Sequence, residues 1–75
     1  MNIGSRWPVG GEAPASLPPV VREAIAAEER ALIDLGADTT GWGWTLTYLE
    51  GAPIVECDDG TRITLTGDGV LVERD

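Results

Sequence analysis

Carboxylates are the side chains of this sequence that are most able to do chemistry. The 75 residues include 13 Asp and Glu, a single cysteine, Cys57, and no histidine. Two neighbouring carboxyl groups can serve as general acid and general base, but a chain of this length has little interior in which to line a substrate cavity. Without histidine, the commonest general base and the usual activator of a Ser or Cys nucleophile is missing. We therefore expect no catalytic residue and no enzymatic activity.

The same residue types argue against a metal site or a cofactor. One Cys and no His cannot supply the ligands of a structural zinc site. The stretch from Asp58 to Thr61, DDGT, resembles half of a calcium-binding loop, but the spacing of the remaining ligands is absent. Gly67-Asp68-Gly69 is too short to cradle a phosphate and carries a negative charge. We expect both stretches to be turns, and we expect neither metal nor cofactor.

The charge balance limits the classes of partner. Five Arg and no Lys leave a net charge of −8. Nucleic acids and anionic membranes attract basic surfaces, so direct binding to either is not expected. No stretch reaches the ~18 apolar residues of a membrane span, and the N-terminal residues lack the apolar core of a signal peptide, which predicts a cytoplasmic protein. A basic protein surface is the natural complement of this charge; the alternative is that the acidity only aids solubility.

Two segments precede the predicted sheet within one domain, residues 1–75. Residues 1–16 are rich in Gly and Pro and are predicted to be an extended arm, neither helix nor strand. Trp7 is expected to dock on the core, the alternative being an exposed recognition residue. Residues 17–36 are predicted to form the helix, capped by Ser16 or Leu17 and ended by a left-handed Gly36.

Helical spacing divides this segment into two sides. The apolar stripe contains Val21, Ala24, Ile25, Ala31, Leu32 and Leu35. The opposite side contains Arg22, Glu23, Ala26, Glu29, Arg30 and Ile33. Glu28 falls near the middle of the apolar stripe, and we expect it either to extend outwards or to lie at the rim of an interface.

After Gly41 the apolar period changes from 3.6 to 2, which indicates strands. The predicted strands are 42–49, 54–57, 62–66 and 70–74. A three-residue loop at 58–60 pairs Val55 with Ile63 and places Glu56 opposite Arg62. A two-residue loop, either Gly67-Asp68 or Asp68-Gly69, closes the last hairpin.

The first hairpin is predicted to have a four-residue loop, Glu50 to Pro53. That loop pairs Tyr48 with Val55 and Leu46 with Cys57.

These registers sort the side chains consistently onto two faces. The apolar face contains Trp42, Trp44, Leu46, Tyr48, Val55, Cys57, Ile63, Leu65, Val70 and Val72. The outer face contains Thr45, Thr47, Leu49, Ile54, Glu56, Arg62, Thr64, Leu71 and Glu73. Because a slip of one residue in any hairpin would destroy this agreement, we predict an α+β fold. One amphipathic helix packs on a four-stranded antiparallel meander.

This topology brings several acidic residues to one end of the sheet. The candidate partner-binding residues at that end are Asp34, Asp38, Asp58, Asp59 and Asp75, with Arg74 as the only clear counter-charge. Glu56 and Glu73 extend the negative field onto the outer face. Two other surfaces stay open as alternatives. One is the outer face around Leu49, Ile54 and Leu71, and the other is the rim near Glu28.

A compact, lysine-free domain of 75 residues with acids at Asp34, Asp38, Asp58, Asp59 and Glu73 resembles the small phage-encoded anti-CRISPR proteins. Several of these are similar to DNA in charge and block a basic DNA-binding surface of a Cas protein. The resemblance implies an inhibitor of a type I CRISPR effector in the cytoplasm of a phage-infected bacterium. We expect the chain to be a monomer. The alternatives are a structural or assembly module of a phage, or an antitoxin-like partner of a basic toxin.

Overall fold

The computed structural model describes residues 2–74 and confirms an α+β fold. Within these residues one helix and five strands follow each other along the chain: β1 (Asn2–Pro8), α1 (Pro19–Asp34), β2 (Gly43–Leu49), β3 (Ala52–Cys57), β4 (Arg62–Thr66) and β5 (Gly69–Glu73). The strands form one antiparallel sheet in the spatial order β1-β2-β3-β4-β5. The sheet therefore has one strand more than the sequence predicted.

The additional strand is β1, and the prediction of an extended arm over residues 1–16 is wrong for its first half. β1 pairs with β2, and its register shifts between Ile3 and Arg6. Glycine and proline suggested a break, but an edge strand tolerates both because one side of its backbone has no neighbour to bond. Trp7 lies opposite Trp44 and is buried, which confirms that it docks on the core.

The helix is shorter at both ends than predicted. Pro18 is the N-cap and makes no side-chain capping bond, while Leu17 is buried in the core and does not cap the helix. At the other end, the N–H groups of Gly36 and Ala37 bond the carbonyls of Ile33 and Leu32, both at 3.0 Å. This is a Schellman motif, and Gly36 is left-handed as predicted, with φ of 70°.

The predicted apolar stripe is correct at its centre and wrong in two places. Val21 and Ile25 are buried against the sheet. Leu35 lies at the C-cap, where the chain leaves the helix, and is 82% exposed. Glu29, expected on the opposite side, accepts hydrogen bonds from Trp44 Nε1 at 3.0 Å and from the Gly10 N–H at 2.7 Å. Its position one turn after Ile25 explains why it reaches the sheet.

The hairpin registers agree with the prediction except in the first hairpin. Opposite Ile63 lies Val55, as expected. The first hairpin places Leu46 opposite Val55 and Tyr48 opposite Pro53, so its predicted register was wrong by two residues. The loop is only Glu50-Gly51, whose φ angles of 52° and 81° are those of a tight left-handed turn. A slip of two residues preserves the inside and outside assignment of each side chain.

The core lies between α1 and the inner face of the sheet. Its buried apolar residues are Trp7, Leu17, Val21, Ile25, Trp44, Leu46, Val55, Cys57 and Ile63. Tyr48, Leu65 and Val70 pack against this cluster and are partly buried. The predicted core face is therefore observed except at two positions. Trp42 lies before β2 and outside this cluster, and Val72 on the edge strand β5 is 37% exposed.

Candidate partner-binding surface

The end of α1, the β3–β4 turn and the residue after β5 meet around a groove of about 570 Å³. We call it the acidic groove, and it is lined by Glu28, Ala31, Leu32, Asp34, Leu35, Asp59 and Arg74. Asp34 and Asp59 are 25 positions apart in the chain, yet they line the same groove because α1 and the β3–β4 turn end at the same side of the sheet. The groove combines aliphatic walls with carboxylates.

Arg74 holds Glu28 inside this groove. The Glu28 side chain, only 16% exposed, accepts a hydrogen bond from the Arg74 guanidinium. Glu28 therefore neither extends freely into solvent nor lies unpaired at a rim. Arg74 is thereby directed to the helix and forms no ion pair with the β3–β4 turn, although its charge still helps to lower the pKa of Asp59.

Asp58 has a different counter-charge, which the sequence did not reveal. Arg6 Nη2 donates to Asp58 Oδ2 at 2.6 Å, and Arg6 Nη1 donates to Oδ1 at 3.2 Å. The Gly43 N–H also donates to Oδ2, at 3.0 Å. The hydrogen bonds from Arg6 are the main reason why the pKa of Asp58 is lowered. Asp58 therefore fastens β1 to the β2–β3 hairpin, and the expectation that Arg74 is the only counter-charge at this end is wrong.

Asp38 and Asp59 each hold a turn through the N–H two residues later. Asp38 Oδ1 accepts from the Thr40 N–H at 3.1 Å, and Asp59 Oδ1 accepts from the Thr61 N–H at 2.9 Å. Hydrogen bonds from the Thr40 hydroxyl and N–H lower the pKa of Asp38. Burial acts to raise the pKa of Asp59, but hydrogen bonds from Thr61 and Cys57 outweigh it, so the net shift is downward. Both carboxylates are therefore charged at neutral pH.

A row of polar side chains crosses the outer face next to this end of the sheet. The register aligns Arg6, Thr45, Glu56, Arg62 and Glu73 on consecutive strands. The contacts within the row are Arg6 Nη1 to Thr45 Oγ1 at 2.7 Å and Arg62 Nη2 to Glu56 Oε2 at 3.6 Å. Arg62 thus lies opposite Glu56, as predicted, and opposite Glu73 on its other side. Its exposed ion pair stabilises the fold by only about 0.2–1 kcal/mol.

The candidate acids now divide by their partners. Asp58 and Glu56 are bonded to arginines, at Arg6 and Arg62. No arginine of the described chain lies within ion-pair distance of Asp34, Asp38, Asp59 or Glu73. Asp75 lies outside the described residues.

Apolar side chains are exposed beside the acids and on the outer face. Ile33 is 74% exposed and, with Leu35, flanks Asp34 at the end of α1. On the outer face, Leu49 and Leu71 are also largely exposed, as the alternative interpretation of that face required. The end of the sheet where Asp34, Asp38, Asp58 and Asp59 lie, which we call the acidic end, can therefore offer a partner aliphatic contacts as well as charge.

Over residues 2–74, no cluster of three or more His, Cys, Asp or Glu side chains that could hold a metal ion is present. In the same part of the chain no helix combines the length and apolar character that crossing a bilayer requires. Comparison with protein-family models, with curated proteins and with solved structures found no match.

Proposed function

We propose that this chain is an acidic inhibitor that binds a basic, nucleic-acid-binding protein surface through the end of the molecule where α1 and the β3–β4 turn meet. The observation that supports this proposal is the separation of paired and unpaired acids. Asp34, Asp38 and Asp59 lie within the described chain beyond ion-pair distance of any arginine. Asp58, which precedes Asp59 in the chain, is neutralised by Arg6.

The arginine pairs leave a surplus of negative charge. Among residues 2–74, three of the five arginines pair with one carboxylate each, so nine of the twelve acids in this range remain against two arginines. Those two, Arg22 and Arg30, are exposed on α1. A surplus of this kind speeds encounter with a positively charged protein and makes the complex sensitive to salt.

The acidic groove adds specificity to this attraction. Leu32 and Leu35 form aliphatic walls beside Asp34 and Asp59. A long arginine or lysine side chain of the partner can pack its methylenes on these leucines while its charged head meets the carboxylates. Direct nucleic-acid binding remains disfavoured, because phosphates and this surface carry the same sign of charge.

The proposed target class is the DNA-binding surface of a type I CRISPR effector in an infected bacterium. This part of the proposal rests on the resemblance in size and charge to small anti-CRISPR proteins. The chain would occupy the effector's basic channel, which DNA then could not enter.

The test uses a purified type I effector complex and a fluorescently labelled target duplex. We expect the chain to lower the DNA-dependent anisotropy, and to do so less effectively at 0.5 M than at 0.1 M NaCl. The triple variant Asp34→Asn, Asp38→Asn, Asp59→Asn keeps turn-forming side chains at 38 and 59 but removes three charges. It should weaken inhibition at least tenfold.

The matched control is Glu12→Gln, Glu23→Gln, Glu50→Gln, which changes the net charge equally at three exposed positions elsewhere. It should change inhibition less than threefold. Equal losses in the two triple variants would show that total charge matters and that the acidic end does not. No effect of the wild-type chain on DNA binding would reject this target.

A further inference from the structure

The two edges of the sheet differ in how well they are protected against pairing with another strand. Edge strands in monomeric proteins are usually interrupted by proline, bulges or charges. The β1 edge has Pro8 and a register shift between Ile3 and Arg6. The β5 edge pairs in regular register from Gly69 to Glu73 and contains neither proline nor a shift. Its central residues, Val70, Leu71 and Val72, are all apolar.

The backbone groups that β5 leaves unpaired can be identified from its hairpin. A two-residue loop is closed by a pair that exchanges backbone hydrogen bonds, here Thr66 and Gly69. Alternation along the strand then directs the backbone groups of Leu71 towards β4 and those of Val70 and Val72 away from the sheet. Within residues 2–74, no strand lies on that side of β5.

We propose that a second copy of this chain binds here, with β5 pairing antiparallel to β5 of the other copy about a two-fold axis at Leu71. In this register Val70 of each copy lies opposite Val72 of the other, so the outward N–H and C=O groups of both strands are satisfied. Leu71, which is 48% exposed, meets its own equivalent across the axis.

Charge complementarity selects this register from its neighbours. It places Asp68 opposite Arg74 of the other copy, and Glu73 opposite Gly69, so no acid faces an acid. A shift of two residues places Arg74 opposite Thr66 in one direction and opposite Val70 in the other. Both shifts therefore lose the ion pair between Asp68 and Arg74. Arg74 already bonds Glu28, and the carboxylate of Asp68 from the second copy gives it a further acceptor.

The pairing also covers apolar surface on both sides of the sheet. On the helix side, Val72 is 37% exposed, and Arg74, directly after β5, lines the acidic groove. Because two five-residue strands bury less than the roughly 1,200–2,000 Å² of a stable interface, we expect a dissociation constant of micromolar order or weaker.

The salt dependence separates this interaction from the proposed inhibitory function. Two copies of net charge −8 repel each other, so added salt should strengthen dimerisation. Binding to a basic partner should weaken over the same range. The dimer goes beyond the proposed function and can be tested without any partner.

The first experiment is disulfide trapping. Leu71→Cys should form a covalent dimer under mild oxidation, because residues on the axis at a non-hydrogen-bonded pair have Cα atoms about 4.5 Å apart. The native Cys57 is buried and does not interfere. Leu49→Cys, which is more exposed on the same face, is the control and should crosslink at least tenfold more slowly. Equal rates for the two variants would overturn the proposal.

The second experiment is sedimentation velocity with charge variants. Asp68→Lys places two like charges opposite each other at each end of the pairing and should weaken dimerisation at least fivefold. Glu50→Lys makes the same change in net charge at a position away from β5 and should leave dimerisation unchanged or slightly stronger. A wild-type chain that stays monomeric at 1 mM in 0.5 M NaCl, or an Asp68→Lys variant that behaves like Glu50→Lys, would reject this pairing.

Discussion

Arg6 and Asp58 are 52 positions apart in the chain and form a two-bond ion pair, with Nη2 and Oδ2 at 2.6 Å. The pair joins β1 to the turn after β3, although β2 lies between those two strands. Asp58 also accepts the Gly43 N–H at the start of β2. One carboxylate therefore connects β1, β2 and the turn after β3, directly beside Asp59.

Removing this carboxylate should loosen β1 without unfolding the sheet. We expect Asp58→Asn and Arg6→Gln each to lower the melting temperature, and the double variant to be less destabilised than the sum of the two. Hydrogen exchange should quicken at the β1 amides and not at those of β4. Fully additive effects of the two substitutions would show that the ion pair has no coupling energy.

Glu29 is expected to contribute more to stability than its helix-surface position suggests. Its carboxylate accepts the indole N–H of Trp44, whose side chain is fully buried. Glu29→Ala leaves that donor without its acceptor, which should lower the free energy of unfolding by about 1–3 kcal/mol. Urea denaturation followed by tryptophan fluorescence measures the change.

Glu29→Gln is the matched control, because an amide oxygen can still accept both bonds. It should be destabilised by less than half as much as Glu29→Ala. A loss of the same size in both variants would point to the negative charge, not the acceptor, as the important property.

The two faces of the sheet could be predicted because an error of two residues in the length of a loop does not change the face on which a side chain lies. The first hairpin loop was predicted two residues too long, yet Leu46 and Val55 were still assigned to the core face, since a slip of two residues preserves the face. The pair Val55–Ile63 and the two-residue length of the last hairpin loop were predicted correctly, because both loops have characteristic turn residues. The structure selects Gly67-Asp68 from the two loops that the sequence left open.

The strand β1 could not be predicted because it has no alternation of its own. Its residues NIGSRWP separate Ile3 from Trp7 by a glycine and two polar residues, so they show no period of two, and its pairing depends on the free edge of β2. Missing β1 also hid the partner of Asp58, so that residue was grouped with the unpaired acids. Which acid an arginine neutralises depends on tertiary contacts such as Arg6–Asp58, and local sequence does not encode them.

The end of α1 provides a test of the backbone at Gly36. Its φ of 70° is left-handed, and no atom lies within 4 Å of a Cβ built there, so Gly36→Ala would be strained by conformation alone. We expect a loss of about 1–2 kcal/mol in the free energy of unfolding. Gly67→Ala has equally open surroundings without a left-handed φ, and should change stability by much less. Similar losses in both would argue against the left-handed cap.

Stability should be greatest between about pH 5 and pH 8 and decline on either side. The folded pKa values of Asp38, Asp58 and Asp59 are lowered, so at acidic pH the unfolded chain binds more protons. Their stabilisation is complete above the unfolded Asp pKa of about 3.9 and is lost as the pH falls through the folded values. Burial raises the pKa of the Cys57 thiol. Its contribution is therefore complete below the unfolded thiol pKa of about 8.5 and is lost as the pH rises above it.

We call the decline of stability at low pH the acid limb and the decline at high pH the alkaline limb. Urea denaturation at intervals of half a pH unit, with two variants, separates them. Asp58→Asn should flatten the acid limb, because it removes the titrating partner of Arg6, and should leave the alkaline limb unchanged. Cys57→Ala should flatten the alkaline limb alone, at some overall loss of core packing. An acid limb of unchanged slope in Asp58→Asn would mean that the Arg6–Asp58 pair does not form in solution.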